Sequence, residues 1–134
     1  MLEAICAGRS PASYVKSLRQ PGWALPMVAW YLVGIVYYVA CFAAIYRVTR
    51  SESRTLALAL IAIVMTSNAA WNLIFFRRRN LKAAVLFYLP YSALVILLIC
   101  VLWRADAVAA GLFIAYAAYL LYALAWSYRV WKLN

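Results

Sequence analysis

The sequence contains four long runs without a charged residue, and these runs constrain the fold more than any other feature. A helix needs roughly 20 apolar residues to cross the hydrocarbon core of a bilayer, so each run is long enough for one transmembrane helix. The first run contains Pro21 and Pro26, which places the start of its helix near residue 27. The predicted spans are about 27–46, 55–76, 83–103 and 107–128.

The connections between the predicted spans are short, which favours antiparallel neighbours. We therefore predict an all-α integral membrane protein, a four-helix up-and-down bundle formed by residues 21–134. The composition agrees, because 70% of the residues are hydrophobic and 12% are charged. The chain has no His and three acidic residues, which argues against most acid/base and zinc chemistry. We expect a binding protein and no enzyme, with no catalytic or metal-binding residues.

Residues 1–20 are too polar to span a membrane, and we predict that they form an interfacial arm. This arm, the second connection and the tail carry nine Lys and Arg, against four in the first and third connections. The positive-inside rule then places both termini in the cytoplasm. Basic loops beside anionic lipid headgroups account for the net charge of +10, so we expect contact with membrane lipids and none with nucleic acid.

The second predicted span carries polar and aromatic side chains on one face. At 100° per residue, Asn68, Trp71, Asn72 and Phe75 fall within an arc of about 100°. Side-chain amides in hydrocarbon need a partner or a cavity, so this stripe should face the bundle. Two interpretations remain open: the amides hydrogen-bond neighbouring helices as packing contacts, or they face a ligand.

The third and fourth spans add further aromatic residues. Pro90 interrupts the third helix beside Tyr88 and Tyr91, and a kink there either opens a pocket or fits a neighbouring helix. On the fourth span the 3-4-3 spacing of four residues predicts an aromatic face with a small gap, which serves either packing or a ligand. These residues are Tyr116, Tyr119, Ala123 and Trp126.

The end of the fourth span matches a loose pattern proposed for sterol contact. Leu124, Tyr128 and Lys132 satisfy L-x(1-5)-Y-x(1-5)-K. The ends of membrane helices also match this pattern by chance. These three residues are a candidate sterol-like motif.

Three motifs in order resemble the TspO/MBR family of translocator proteins, also called tryptophan-rich sensory proteins. The resemblance covers the chain from about Pro11 to its end. The first motif reads Leu18, Pro21, Trp23 and Pro26. The second reads Asn68, Trp71, Phe75 and Phe76. The third reads Ala115-Tyr116, Tyr119, Ala123 and Leu133-Asn134.

The resemblance implies a five-helix TspO-like fold that here lacks most of the first helix. It also implies a bound tetrapyrrole (protoporphyrin or haem), sterol or lipid, frequently in a homodimer, and no established enzyme activity. The segment from Pro11 to Pro21 corresponds to the family's lid loop. The candidate ligand-binding residues are Trp23, Pro26, Asn68, Trp71, Phe75, Tyr116, Tyr119, Ala123 and Trp126.

Two functions follow from these expectations. In the first, the chain binds a porphyrin-like or other apolar small molecule for transport, sensing or sequestration, in a bacterial inner membrane. In the alternative, it is an accessory structural subunit of a larger membrane complex, and a partner helix docks in the groove left by the missing first helix. Aromatic and small residues facing inward suit both.

Overall fold

A computed structural model describes residues 11–50 and 54–134, and these residues form five helices and no strand. Residues 1–10 of the predicted arm and residues 51–53 of the first connection lie outside the described part. Four helices are long and apolar enough to cross a membrane, which confirms the all-α membrane fold. The helices are α1 (Pro11–Ser17), α2 (Met27–Val48), α3 (Arg54–Asn72), α4 (Leu81–Ala105) and α5 (Ala107–Leu133).

The ends of the long helices follow from local chemistry. Pro26 precedes the first residue of α2, and the side chain of Asn80 accepts a hydrogen bond from the backbone N–H of Ala83 at 3.0 Å to cap α4. Asp106 alone connects α4 to α5 and caps α5 by accepting from the N–H of Ala109 at 2.8 Å. A connection this short makes α4 and α5 antiparallel neighbours.

The end of α3 departs from a regular α-helix. Residues Leu73–Arg77 form a π-helical turn, in which the N–H of Arg78 donates to the carbonyl of Leu73 at 2.9 Å. A π turn contains more residues per turn than an α-helix, so side chains within it do not keep the 100° spacing. This turn leads into Arg79, which has a positive φ of 52°.

The four long helices pack in a ring, each against the next, with α2 closing the ring against α5. One end of the ring is tight, because small residues there let the backbones approach closely. Ala44, Ala57, Ala109 and Ala110 are all completely buried at this end. The bundle is wider at the other end, where α2 begins and α3 ends, because large aromatic side chains surround an open space there.

The outer surface of the bundle is apolar. Val39 and Phe42 on α2, Leu89 on α4 and Leu121 on α5 are each more than 60% exposed. Large side chains exposed to this extent on three helices suit a lipid environment. Pro90 also lies on the exposed side of α4, whereas its neighbour Tyr91 is buried inside the bundle.

Candidate functional site

A cavity of about 460 Å³ occupies the wide end of the bundle. Residues of all four long helices line it, and Pro11 and Val15 of α1 close the side nearest the arm. Its volume lies within the range of small-molecule sites, about 300–1,000 Å³. The aromatic residues that line the cavity are Trp30, Tyr31, Tyr37, Tyr38, Trp71, Phe76, Tyr88, Tyr91, Tyr116, Tyr119 and Trp126.

The structure brings six of the nine sequence-predicted ligand residues to this cavity. Two lie on α3 and four on α5, so the two predicted stripes face one another across the same space. The six are Asn68, Trp71, Tyr116, Tyr119, Ala123 and Trp126. Asn72, which shares the α3 stripe, also lines the cavity.

Phe75 does not line the cavity, because it lies behind the wall. Its side chain is completely buried and its ring stacks on Trp71 at a centroid distance of 5.0 Å. It also contacts Trp126 at 5.4 Å and Tyr14 at 5.9 Å. Phe75 therefore joins α1, α3 and α5 and supports the wall from outside. The π-helical turn in which it lies explains why the 100° spacing placed it with the lining residues.

Trp23 and Pro26 also lie outside the cavity. Trp23 is 46% exposed and packs edge-on against Tyr122 at 5.6 Å. The hydroxyl of Tyr122 accepts a hydrogen bond from the backbone N–H of Leu25 at 3.1 Å, which anchors this connection to α5. Pro26 is exposed and terminates the connection at the start of α2. Both residues shape the entry of the chain into α2.

The indole rings of the wall are held by hydrogen bonds to protein groups. The Nε1–H of Trp71 donates to the carbonyl of Ala84 on α4 at 3.1 Å. The Nε1–H of Trp126 donates to Oε1 of Gln20 at 3.0 Å, and its ring packs 4.6 Å from that of Trp30. With their N–H groups engaged, these rings offer mainly flat apolar surface to the cavity.

The far side of the cavity from α1 carries hydroxyl groups. The hydroxyls of Tyr91 and Tyr116 are hydrogen-bonded at 2.7 Å. The ring of Tyr37 lies 4.8 Å from that of Tyr116, and Ser127 donates to the hydroxyl of Tyr88 at 3.5 Å. We name Tyr37, Tyr91 and Tyr116 the tyrosine end of the cavity. The hydroxyl of Tyr88 lies nearer α1, because its partner Ser127 follows Trp126, which is bonded to Gln20.

Helix α1 covers the opposite end and is fixed by several contacts. The guanidinium of Arg79 lies 5.1 Å from the ring centroid of Tyr14. Partial burial raises the pKa of the Tyr14 hydroxyl, and the charge of Arg79 acts in the opposite direction. After α1, the amide of Asn134 binds both the N–H and the carbonyl of Arg19, at 2.9 and 3.1 Å. The connection after α1 is thus attached to Asn134, directly after the end of α5.

The sterol-like motif lies outside the cavity. Leu124 packs against the core, whereas Tyr128 is 44% exposed. The ammonium of Lys132 lies 4.6 Å from the ring of Trp131 and 5.7 Å from that of Tyr128. The three motif residues therefore do not belong to the aromatic cavity, and a sterol site at this surface remains a prediction.

Several lining residues were not selected from the sequence, among them Trp30 and Tyr37 on α2 and Tyr88 and Tyr91 on α4. Trp30 and Tyr37 are seven residues apart, and Tyr88 and Tyr91 are three apart, so each pair shares a helix face. Large aromatic residues at these spacings were the available signal. On α2 this spacing signal is weak, because the residues that face outward are also apolar.

The lining suits an uncharged, apolar ligand. None of the residues of 11–50 and 54–134 that line the cavity is charged. Within the same described ranges, no group of three or more His, Cys, Asp or Glu could hold a metal ion. Flat aromatic walls fit a planar ring system such as a tetrapyrrole, but the chain contains no His to ligate a haem iron. The arrangement has the size and the apolar lining to enclose such a ligand.

Comparison with known proteins gives a consistent assignment. A family model described as the TspO/MBR family matches residues 2–132. Protein CrtK of Rhodobacter capsulatus is 30% identical over 139 aligned residues, which cover 96% of this chain and 86% of that protein. The family match includes α1 and all four long helices, except the last residue of α5.

Proposed function

Because the chain belongs to the TspO/MBR family, we propose that it binds a porphyrin-like or other apolar small molecule, such as a tetrapyrrole, sterol or lipid, within its bundle. The chain is an integral membrane protein with four helices able to span a bilayer. Binding would serve transport, sensing or sequestration of the ligand. Catalysis forms no part of the proposal.

The observation that carries the proposal is the aromatic cavity. Trp71 and Trp126 both form part of its wall, and each indole N–H is engaged by a protein acceptor. Rigid aromatic surfaces bind flat apolar ligands with little loss of side-chain entropy. Ala123 contributes a small side chain to the same wall and leaves room between the rings.

We propose that the protein lies in a bacterial inner membrane with both termini in the cytoplasm, as a homodimer or a subunit of a larger complex. The arrangement of charges supports this orientation. Arg79 and Lys132 lie at the cavity end of the bundle, together with most of the other basic residues. The positive-inside rule then turns the cavity end toward the cytoplasm.

A pair of matched substitutions tests the cavity as the binding site. Ala123→Leu adds volume inside the cavity, whereas Ala125→Leu makes the same change on the exposed side of α5. Overpacking costs about 1–3 kcal/mol, so we expect Ala123→Leu to weaken protoporphyrin IX binding by at least about fivefold. The measurement is a titration of tryptophan fluorescence quenching in detergent. Equal affinities of the two variants would contradict the proposed site.

A further inference from the structure

The cavity reaches the outer surface of the bundle beside α2. Tyr31 and Ile35 line the cavity, yet they are 56% and 60% exposed. Residues that line a cavity and are also exposed mark an opening in its wall. Ile35 follows the first residue of α2 by eight positions, about 12 Å along the helix, so the opening lies in the membrane-spanning part. It lies between the tyrosine end and the end that α1 covers.

The opening is on the side of α2 that borders α3. Trp30 and Tyr37 face α5, because their rings pack against rings of α5 at centroid distances of 4.6 and 4.8 Å. At 100° per residue, Tyr31 and Ile35 lie about 100–160° further round α2. The other neighbour of α2 in the ring is α3, whose Asn68 also lines the cavity.

Helices α2 and α3 leave room for this opening. In the described part of the chain they pack against one another less extensively than any other neighbouring pair in the ring. Gly34 lies between Tyr31 and Ile35 on α2 and also lines the cavity. A Cβ added at Gly34 would meet no atom of another helix within 4 Å among residues 11–50 and 54–134. The space beside Gly34 is therefore open.

The route from water, by contrast, is covered. Pro11 and Val15 of α1 line the cavity at the end where Lys16 is exposed. The amide of Asn134 holds the connection after α1 by hydrogen bonds of 2.9 and 3.1 Å to the backbone of Arg19. A ligand coming from water must displace α1 and these contacts. A ligand dissolved in the bilayer meets the opening between α2 and α3.

We infer that the gap between α2 and α3 beside Gly34 is a lateral opening, through which the cavity takes its ligand directly from the hydrocarbon core of the bilayer. This inference rests on the proposed function, because it assumes that the cavity holds an apolar ligand. The lining residues within 11–50 and 54–134 carry no charge, and an unpaired charge is very costly to bury. The body of the ligand therefore dissolves in lipid, and any ionised group on it stays at headgroup level.

The rates of ligand exchange test this route. The probe is protoporphyrin IX dimethyl ester, an uncharged porphyrin that dissolves in lipid. The protein is placed in phosphatidylcholine nanodiscs, and binding is followed by circular dichroism of the Soret band, which an achiral porphyrin acquires in an asymmetric site. Titration gives the Kd, and stopped-flow mixing gives the association rate constant. The product of the two is the dissociation rate constant.

Three variants distinguish the two routes. Gly34→Phe places a side chain in the opening. The matched control is Gly111→Phe, because Gly111 is exposed on α5 and a Cβ there also meets no atom of another helix within 4 Å in the described ranges. Asn134→Ala removes both hydrogen bonds to Arg19 and loosens the connection after α1.

We expect Gly34→Phe to slow association and dissociation alike by about fivefold to tenfold, because the added side chain must be displaced each time the ligand passes. The Kd should change by less than about twofold, and so should both rates in Gly111→Phe and Asn134→Ala. Should Gly34→Phe fail to fold, Gly34→Leu carries the same test.

Three results would overturn the inference and leave the proposed function standing. Unchanged rates in Gly34→Phe would show that the gap is not the route, as when a partner helix or a second copy covers it. Faster dissociation alone, with a raised Kd, would make Gly34 a wall contact. Faster association in Asn134→Ala would place the route at α1. Absence of an induced Soret signal in the unsubstituted protein would remove both the opening's role and the proposed function.

Discussion

Replacement of Phe75 tests whether this residue supports the wall or contacts the ligand. Its ring meets two rings on other helices, Trp126 at 5.4 Å and Tyr14 at 5.9 Å. Each such pair contributes about 0.5–1.5 kcal/mol, so Phe75→Leu should lower the free energy of unfolding by about 1–3 kcal/mol. Phe75→Ala also leaves a void, for which soluble proteins lose about 3–5 kcal/mol. Since helices separated in detergent stay in an apolar medium, we expect the lower end of that range.

The assay is unfolding in a titration with sodium dodecyl sulfate, followed by circular dichroism of the detergent-solubilised protein. Phe42→Leu and Phe42→Ala are the matched controls, because Phe42 is 68% exposed on α2, and they should change stability by less than about 0.5 kcal/mol. Folded Phe75→Leu should bind protoporphyrin IX within about twofold of the unsubstituted protein. Normal stability combined with strongly reduced binding would refute the supporting role and make Phe75 a ligand contact.

Two further predictions concern contacts that hold the bundle together. The hydrogen bond from Arg47 at 2.7 Å holds the pKa of Asp106 below its usual value of 3.8. This depressed pKa stabilises the folded protein above about pH 4, and the stabilisation is lost as the pH falls through the folded pKa. The unsubstituted protein should therefore unfold at a higher temperature than Asp106→Asn at neutral pH, and this difference in unfolding temperature should disappear in acid. Gln20→Ala removes the acceptor of the Trp126 indole, and trypsin should then cleave the segment after α1 about fivefold to tenfold faster. Ser17→Ala, a change at the last residue of α1 that keeps the Gln20–Trp126 bond, should leave the rate unchanged.

The fold could be predicted from the sequence because the membrane imposes a simple rule. Each charge-free run had to form a helix that satisfies its own backbone hydrogen bonds. In the structure α5 continues to Leu133, beyond the charge-free run that ends at Tyr128. It can do so because Arg129 and Lys132 remain exposed at the end of the bundle. Long basic side chains reach the headgroups from such positions.

The site could be predicted from the sequence where an unusual residue marked one helix face. Asn68 on α3 and the aromatic stripe on α5 identified the two walls that meet across the cavity. On α2 no such contrast exists, since Tyr37 faces inward while the equally apolar Val36 and Val39 face outward. Phe75 was misplaced because helical spacing assumes a regular helix, which the π turn interrupts. Trp23 lies in a connection whose path depends on contacts with Tyr122, about 100 residues later.

The most direct test of the central claim is to extract the protein from its native membrane in a mild detergent and record the particle's mass and absorption spectrum together. The account predicts a particle of one or two chains that carries a small apolar molecule, seen as a tetrapyrrole band or as a sterol or lipid in the mass, and that loses it in the Ala123→Leu variant. A much larger particle with defined protein partners and no bound small molecule would contradict the account. It would instead make the chain a structural subunit that docks a partner.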